Sequence, residues 1–281
     1  MKFLRLGYTE TTLLYLWYLR TIIKINNNDI KSSEVRLINW LFTTSGTYNK
    51  KIIGSYFDFD NEYEKIINSS EYNEYMSKIY KYIYNSDNLR LCFHVGLPYE
   101  DIYKKEFIDS TNAKNYSGDY WHIHKYIPKN CRLLIINSFA KLIKEQIESG
   151  NCEKIFTNFP KIISVEYINT PYTFFNNGPD NNSLETIEKI KSEIELIKDN
   201  FDVALVSWGS NGCLISGFIH DELNKDVYMS GGEITYHFGI CSKRHPFNKN
   251  KYHNSEDYWI KEIPEEYKPK DYMKIEDGCY W

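Results

Sequence analysis

Four short segments of this 281-residue chain carry small, amide and hydroxyl residues directly after apolar runs: Asn137-Ser138, Asn169-Thr170-Pro171-Tyr172, Trp208-Gly209-Ser210-Asn211-Gly212 and Gly231-Gly232-Glu233. In parallel α/β sheets, ligands bind outside the carboxyl ends of the strands. If the apolar runs are such strands, all four segments converge on one rim. Their side chains suit a polyhydroxylated or phosphorylated ligand better than an apolar one. Asn and Ser are also ordinary cap and turn residues, so each position taken alone reads more readily as structural.

The segment around residue 210 is the most informative. Gly209 and Gly212 bracket a turn between the apolar run Val203–Val206 and a helical stretch that puts Leu214, Ile215, Phe218, Ile219 and Leu223 on one face. Lacking Cβ, the glycines let the backbone come close to a bound group, and the first free N–H groups of the helix point at it. Such a unit can hold a phosphate or diphosphate. The spacing is neither GxGxxG nor GxxxxGK[ST], however, so the turn alone reads most simply as a change of chain direction.

The elements that must position these segments are legible from residue 131 onward. Leu133–Ile136 reads as a buried strand, and Ser138 as the cap of a helix with Phe139, Leu142, Ile143 and Ile147 on one face and Gly150 past its end. Ile163, Val165 and Tyr167 alternate as a strand. Leu184, Ile187, Ile190, Ile194 and Ile197 mark a helix capped by Ser183. This β-then-α order predicts an α/β fold with a Rossmann-like parallel sheet flanked by helices. Residues 1–130 are a mixed part: a buried helix begins near Glu10, Glu62–Tyr84 is helical, Leu89–Val95 is a strand, and Asp101–Tyr120 fits no single pattern. Residues 242–281, with Pro246, Pro264 and Pro269, read as an irregular tail wrapped on a single domain spanning 1–281, whose sheet occupies 131–241.

Composition excludes several classes. A net charge of −4 argues against the clustered basic face that nucleic acid needs, so no nucleic-acid partner is expected. Six scattered cysteines without a CxxC pair point to a reduced, cytoplasmic setting. The apolar run Leu13–Leu19 is interrupted by Arg20 and falls short of the roughly 20 residues of a membrane span.

The carboxy half, with LVSWGSNG and YMSGGEITYHFG, resembles the glycosyltransferases with a GT-D type fold. Members of that family carry an early Arg-x-Gly-Asp-x-Glu segment, and this chain begins Phe3-Leu4-Arg5-Leu6-Gly7-Tyr8-Thr9-Glu10. The Asn137-Ser138-Phe139-Ala140 segment is similar to the family's strand-end asparagine and helix start. The resemblance implies transfer of a sugar from a nucleotide-sugar donor to a glycan or protein acceptor. Its chief departure is Tyr8, where the family has the Asp of an Asp-x-Glu pair. Two carboxylates one residue apart can share a divalent cation, Mn²⁺ or Mg²⁺, that neutralises a leaving diphosphate. Glu10 alone leaves metal dependence open, and Asp58-x-Asp60 is a weak substitute because DxD often occurs by chance.

Sugar transfer needs a held diphosphate, stabilisation of the leaving charge and, for inversion, a base. The strand-end rule and the resemblance together assign the donor to Arg5, Gly7, Asn137, Ser138, Gly209, Ser210, Asn211, Gly212, Gly231 and Gly232. Arg5 offers phosphate a planar fork of donors. Glu233 is the preferred base and Glu10 its alternate, as base or metal ligand. Tyr172 and His237 are candidate sugar or acceptor contacts, and Phe174, Phe175, Trp259, Tyr280 and Trp281 can stack on a ring, although aromatics more often complete a core. His122 with His124, and Cys241 with His245, lack the further ligands a metal site requires. Two other classes stay open: a methyltransferase using S-adenosylmethionine, with Glu233 on the ribose, and a non-catalytic nucleotide- or sugar-binding protein.

Overall fold

The computed structural model describes the chain apart from residues 54–57, 85, 93–97, 110–113 and 116–122. Seven strands form one sheet: β1 (Lys2–Leu6), β2 (Asn88–Leu91), β3 (Lys114–Asn115), β4 (Cys131–Asn137), β5 (Ile162–Asn169), β6 (Val203–Val206) and β7 (Asp226–Met229). Their order is β3-β2-β1-β7-β6-β4-β5, and every pairing among the described residues is parallel.

The apolar runs of β4 and β6 follow from burial on both faces. Leu134, Ile136, Ala204 and Val206 face one core, built with the Tyr8–Tyr18, Asn28–Thr43, Ser70–Tyr84, Ser183–Leu196 and Asn211–Gly217 helices. Leu133, Ile135, Val203 and Leu205 face the other, with the Ala140–Glu148 helix and Ile234, Phe238 and Ile240. The chain is thus α/β with helices on both faces of a parallel sheet. The tail from residue 242 contains only short helical turns, in keeping with an irregular wrapping segment.

Several local expectations are corrected, while the helix start near Glu10 and the place of Gly150 past a helix end hold to within two residues. The amino-terminal part is not separate from the sheet, because β1 lies between β2 and β7 near its middle. The first helix starts at Tyr8, two residues before Glu10. The stretch read as one helix over 62–84 is two, Phe59–Ile67 and Ser70–Tyr84, and Ser69 Oγ accepts the Tyr72 N–H at 3.2 Å to start the second. The expected strand from 89 is Asn88–Leu91; residues 93–95 lie outside those described, as does much of 101–120. Phe139, not Ser138, occupies the cap position before Ala140, with no side-chain cap bond. Asn182, not Ser183, caps its helix, accepting the Glu185 N–H at 3.0 Å. Gly150, with φ +72°, leads into a further short helix, Asn151–Ile155.

Lys2 shows how firmly β1 is held. Its side chain is wholly buried, and Nζ donates to both carboxylate oxygens of Asp221 at 2.8 and 2.9 Å. Burial opposes ionisation of Asp221, but hydrogen bonds from Lys2 and His220, together with their charges, hold its carboxyl below the usual range. The exposed Asp202 carboxyl is held at about 2 by hydrogen bonds from the side chain and backbone of Arg132. A group whose folded pKa is depressed binds more protons when unfolded, so its stabilisation is present above the unfolded value of about 3.9 and lost as pH falls towards the folded one. Unfolding free energy measured against pH is therefore expected to drop below about pH 4. Asp221→Asn should make that acid limb shallower, and superimposable limbs for variant and wild type would contradict the assignment.

Candidate functional site

The carboxyl ends of β1, β4, β5, β6 and β7 open onto one cleft of about 480 Å³. Its size falls within the range of small-molecule sites. Arg5, Gly7 and Glu10 reach it from the end of β1 and the first turn of the following helix. Asn137, Ser138 and Tyr172 line it from the loops after β4 and β5, and Gly209, Gly231 and Gly232 from those after β6 and β7. The tail adds Arg244, Glu276, Tyr280 and Trp281 to the lining. The rim rule therefore brings together segments from residue 5 to residue 281.

The Gly231-Gly232 corner explains its own sequence. A Cβ on Gly231 would collide with a guanidinium nitrogen of Arg5 and lie 2.6 Å from Glu233 Oε2, so the guanidinium and the carboxylate are neighbours beside this bare backbone. A Cβ on Gly232 would come within 2.5 Å of the Tyr280 ring. β7 ends at Met229, and Gly232–Phe238 forms a short 3₁₀ helix instead of continuing the strand. Glu233 is buried in that helix and lies outside the cleft lining. Its Oε1 accepts the Gly231 N–H at 3.2 Å and faces Ser230 Oγ at 3.4 Å. Buried and outside the lining, Glu233 is placed beside Arg5 and away from where a base would meet an acceptor.

Glu10 does line the cleft. It stands three residues into its helix, where a carboxylate complements the positive helix end and folds back towards the cap residue. Gly7 permits this, since a Cβ there would be 2.6 Å from Glu10 Oε2. Ser45 Oγ donates to Oε1 at 3.2 Å.

The turn after β6 serves a different purpose from the one its glycines suggest. Gly209 has φ +50°, and a Cβ would sit 2.7 Å from the Ser45 carbonyl oxygen, so the bare position admits protein backbone. The Gly212 N–H donates to Trp208 and Gly209 carbonyls at 3.1 and 3.2 Å, and the Cys213 N–H to Ser210 at 3.1 Å, which removes them as free phosphate donors. Ser210, Asn211 and Gly212 do not line the cleft. The Tyr75 hydroxyl lies 2.8 Å from both Ser210 Oγ and Asn211 Oδ1, and Thr47 Oγ1 lies 2.8 Å from Ser210 Oγ, in a buried network behind it. Gly212 lets its helix pack on Val206 and Met229.

The remaining candidates divide similarly. The Asn137 amide is committed at both ends, donating to the Ser207 carbonyl and accepting the Phe139 N–H, each at 2.9 Å, so it ties the end of β4 to that of β6. Ser138 Oγ lies 3.0 Å from Thr170 Oγ1. The Tyr172 hydroxyl donates to the Tyr267 carbonyl at 2.6 Å, and its ring packs beside Trp281. His237 is buried outside the cleft lining, with its carbonyl bonded by His124 Nε2 at 2.6 Å. Within that cluster His124 also packs edge-on against Phe156 and Phe159; His122 lies outside the described residues. Arg244, Glu276, Trp40 and Ser45 were not found from the sequence. Arg244 is ion-paired with Glu276, and its guanidinium carbon stands 4.6 Å from the centre of the Tyr280 ring.

The implied divalent cation finds a poor donor set. Hard cations need several convergent oxygens, and among the described residues no three His, Cys, Asp or Glu side chains group to hold one. A phenol replaces the second carboxylate at Tyr8. Asp58 caps the Phe59–Ile67 helix through the Asn61 N–H, and neither Asp58 nor Asp60 lines the cleft. No helix among the described residues is long and apolar enough to cross a membrane. Compared with known proteins, the chain matches no family model, no curated protein and no solved structure.

Proposed function

We propose that the protein is a GT-D-like glycosyltransferase that moves a sugar from a nucleoside-diphosphate-sugar donor to an acceptor hydroxyl. The observation that supports this reading is the meeting of Arg5 and Glu10, from the first ten residues, with the Gly231-Gly232 corner in one polar and aromatic cleft. In this reading Arg5, backed by Glu233, neutralises the leaving diphosphate, since a preorganised cation acts most strongly where charge develops in the transition state. Glu10 takes the proton of the acceptor hydroxyl as that oxygen attacks the anomeric carbon and the bond to the diphosphate breaks. Trp40, Tyr172 and Trp281 offer faces for the base or sugar ring. Glu233 thereby changes from base to positioning residue.

The test is a thermal-shift screen with UDP-, GDP- and dTDP-sugars, with and without Mn²⁺, and with S-adenosylmethionine, followed by detection of released nucleoside diphosphate. A nucleotide-sugar is expected to raise the melting temperature and to turn over when acceptors are supplied. A shift with S-adenosylmethionine alone would replace this reading by methyl transfer. Nucleotide-sugar binding without sugar release or transfer would favour a non-catalytic binding protein, a reading to which Tyr8 in place of a carboxylate lends weight.

A further inference from the structure

We infer that the cleft binds the diphosphate of its ligand with two guanidinium groups, those of Arg5 and Arg244, in place of a protein-held divalent cation. The inference rests on the donor class proposed above and goes beyond it by naming what neutralises the phosphates. The charged side chains lining the cleft are two cations, Arg5 and Arg244, and two anions, Glu10 and Glu276. The cations reach it from the end of the first strand and from the carboxy-terminal tail. Arg5 packs against Gly231, and Tyr280, which carries Arg244, packs against Gly232. The two glycines thus let the Arg5 guanidinium and the Tyr280–Arg244 pair approach neighbouring stretches of bare backbone. A diphosphate has oxygens enough to engage both, and a guanidinium binds phosphate through paired charge-assisted hydrogen bonds.

The two arginines differ in how they are held, and the difference gives the inference its most specific consequence. The anion beside Arg5, Glu233, is buried and lies outside the cleft lining, so it can stay in place when a ligand arrives. The anion paired with Arg244, Glu276, lines the cleft and competes with the ligand for the same donors. Removing the Glu276 charge should therefore strengthen anion binding, whereas a purely structural ion pair would give no gain.

Calorimetric titration with inorganic pyrophosphate and with UDP, both in excess EDTA, tests this. Pyrophosphate and UDP are expected to bind one to one without metal. Arg5→Gln and Arg244→Gln should each weaken binding roughly tenfold to a hundredfold, Arg244→Lys by less, and Glu276→Gln should tighten it severalfold. Lys261→Ala, in the neighbouring cavity beside Cys241 and Phe247, should leave binding unchanged, and circular dichroism melts show that each variant is folded. Binding that appears only with Mn²⁺, or that folded variants at both arginines leave unaltered, would overturn the inference while sugar transfer, if observed, keeps the function standing. Failure of both ligands to bind with or without metal would overturn the inference and the donor class together.

Discussion

Glu10→Gln is expected to reduce sugar transfer by about 10²- to 10⁴-fold, the usual worth of a positioned general base, while nucleotide affinity changes little. The substitution keeps the size of the side chain and an acceptor for Ser45 Oγ but removes the charge. A carboxylate in the first turn of a helix contributes about 0.3–1 kcal/mol to stability and up to about 2 kcal/mol where it is partly buried, as Glu10 is, so the melting temperature should fall by only a few degrees. Turnover and melting measured on one preparation therefore separate two roles that the geometry allows: complementing the helix end and accepting a proton. A fall in rate of only a few fold would leave Glu10 the first role alone.

The largest expected loss of stability comes from the helical layer. Glu34 is fully buried, Arg20 Nε donates to it at 3.2 Å, and the hydroxyls of Tyr63 and Tyr72 donate at 3.0 and 3.4 Å. Burial is the main reason that both phenols are harder to ionise than usual, with the charge of Glu34 next. Glu34→Ala removes the acceptor that these three donors share. Breaking a buried pair by deleting one partner costs about 3–5 kcal/mol, against about 1 kcal/mol for an ordinary substitution. The Asn28–Thr43 helix that carries Glu34 also delivers Trp40 to the cleft, with Thr44 and Ser45 just beyond its end. Urea unfolding should show the loss as a lower midpoint at unchanged slope. Arg20→Met added to Glu34→Leu should recover much of it, because an apolar pair leaves no buried charge unpaired; a double variant no better than Glu34→Ala would show that the unpaired charge is not the main cost, leaving the Tyr63 and Tyr72 hydroxyls or packing responsible.

The carboxy-terminal half of the sheet was legible because its signals are local. Val203–Val206 is apolar at every position since its side chains enter both cores in turn, and the Ile187, Ile190 and Ile194 spacing matches the face its helix buries. β1 was not legible. Its five residues begin with a lysine whose burial depends on Asp221, 219 residues away, and its strand partners begin at Asn88 on one side and pair at Val227 and Tyr228 on the other. Each rim segment sends residues into one cleft, yet Ser210, Asn211, Gly212 and Glu233 stand outside its lining, and glycines that looked alike proved different in kind. Gly209 makes room for the Ser45 carbonyl and Gly231 for the Arg5 guanidinium, and no local pattern distinguishes a glycine facing backbone from one facing a cation. Arg244 gave no signal at all. Its backbone N–H bonds the Cys279 carbonyl at 2.8 Å, so its place on the cleft wall is set by how the tail folds back on itself, and a Lys-Arg-His run does not encode that.

The most direct test of a donor site at this cleft is a crystal structure of the protein with UDP, or with the nucleoside diphosphate that shifts its melting temperature most. The expected result is a diphosphate lying between Arg5 and Arg244 beside the Gly231-Gly232 corner, with the nucleoside against the aromatic wall and Glu10 facing the acceptor side. A nucleotide bound elsewhere on the molecule, with the cleft empty and Arg244 still paired to Glu276, would contradict it.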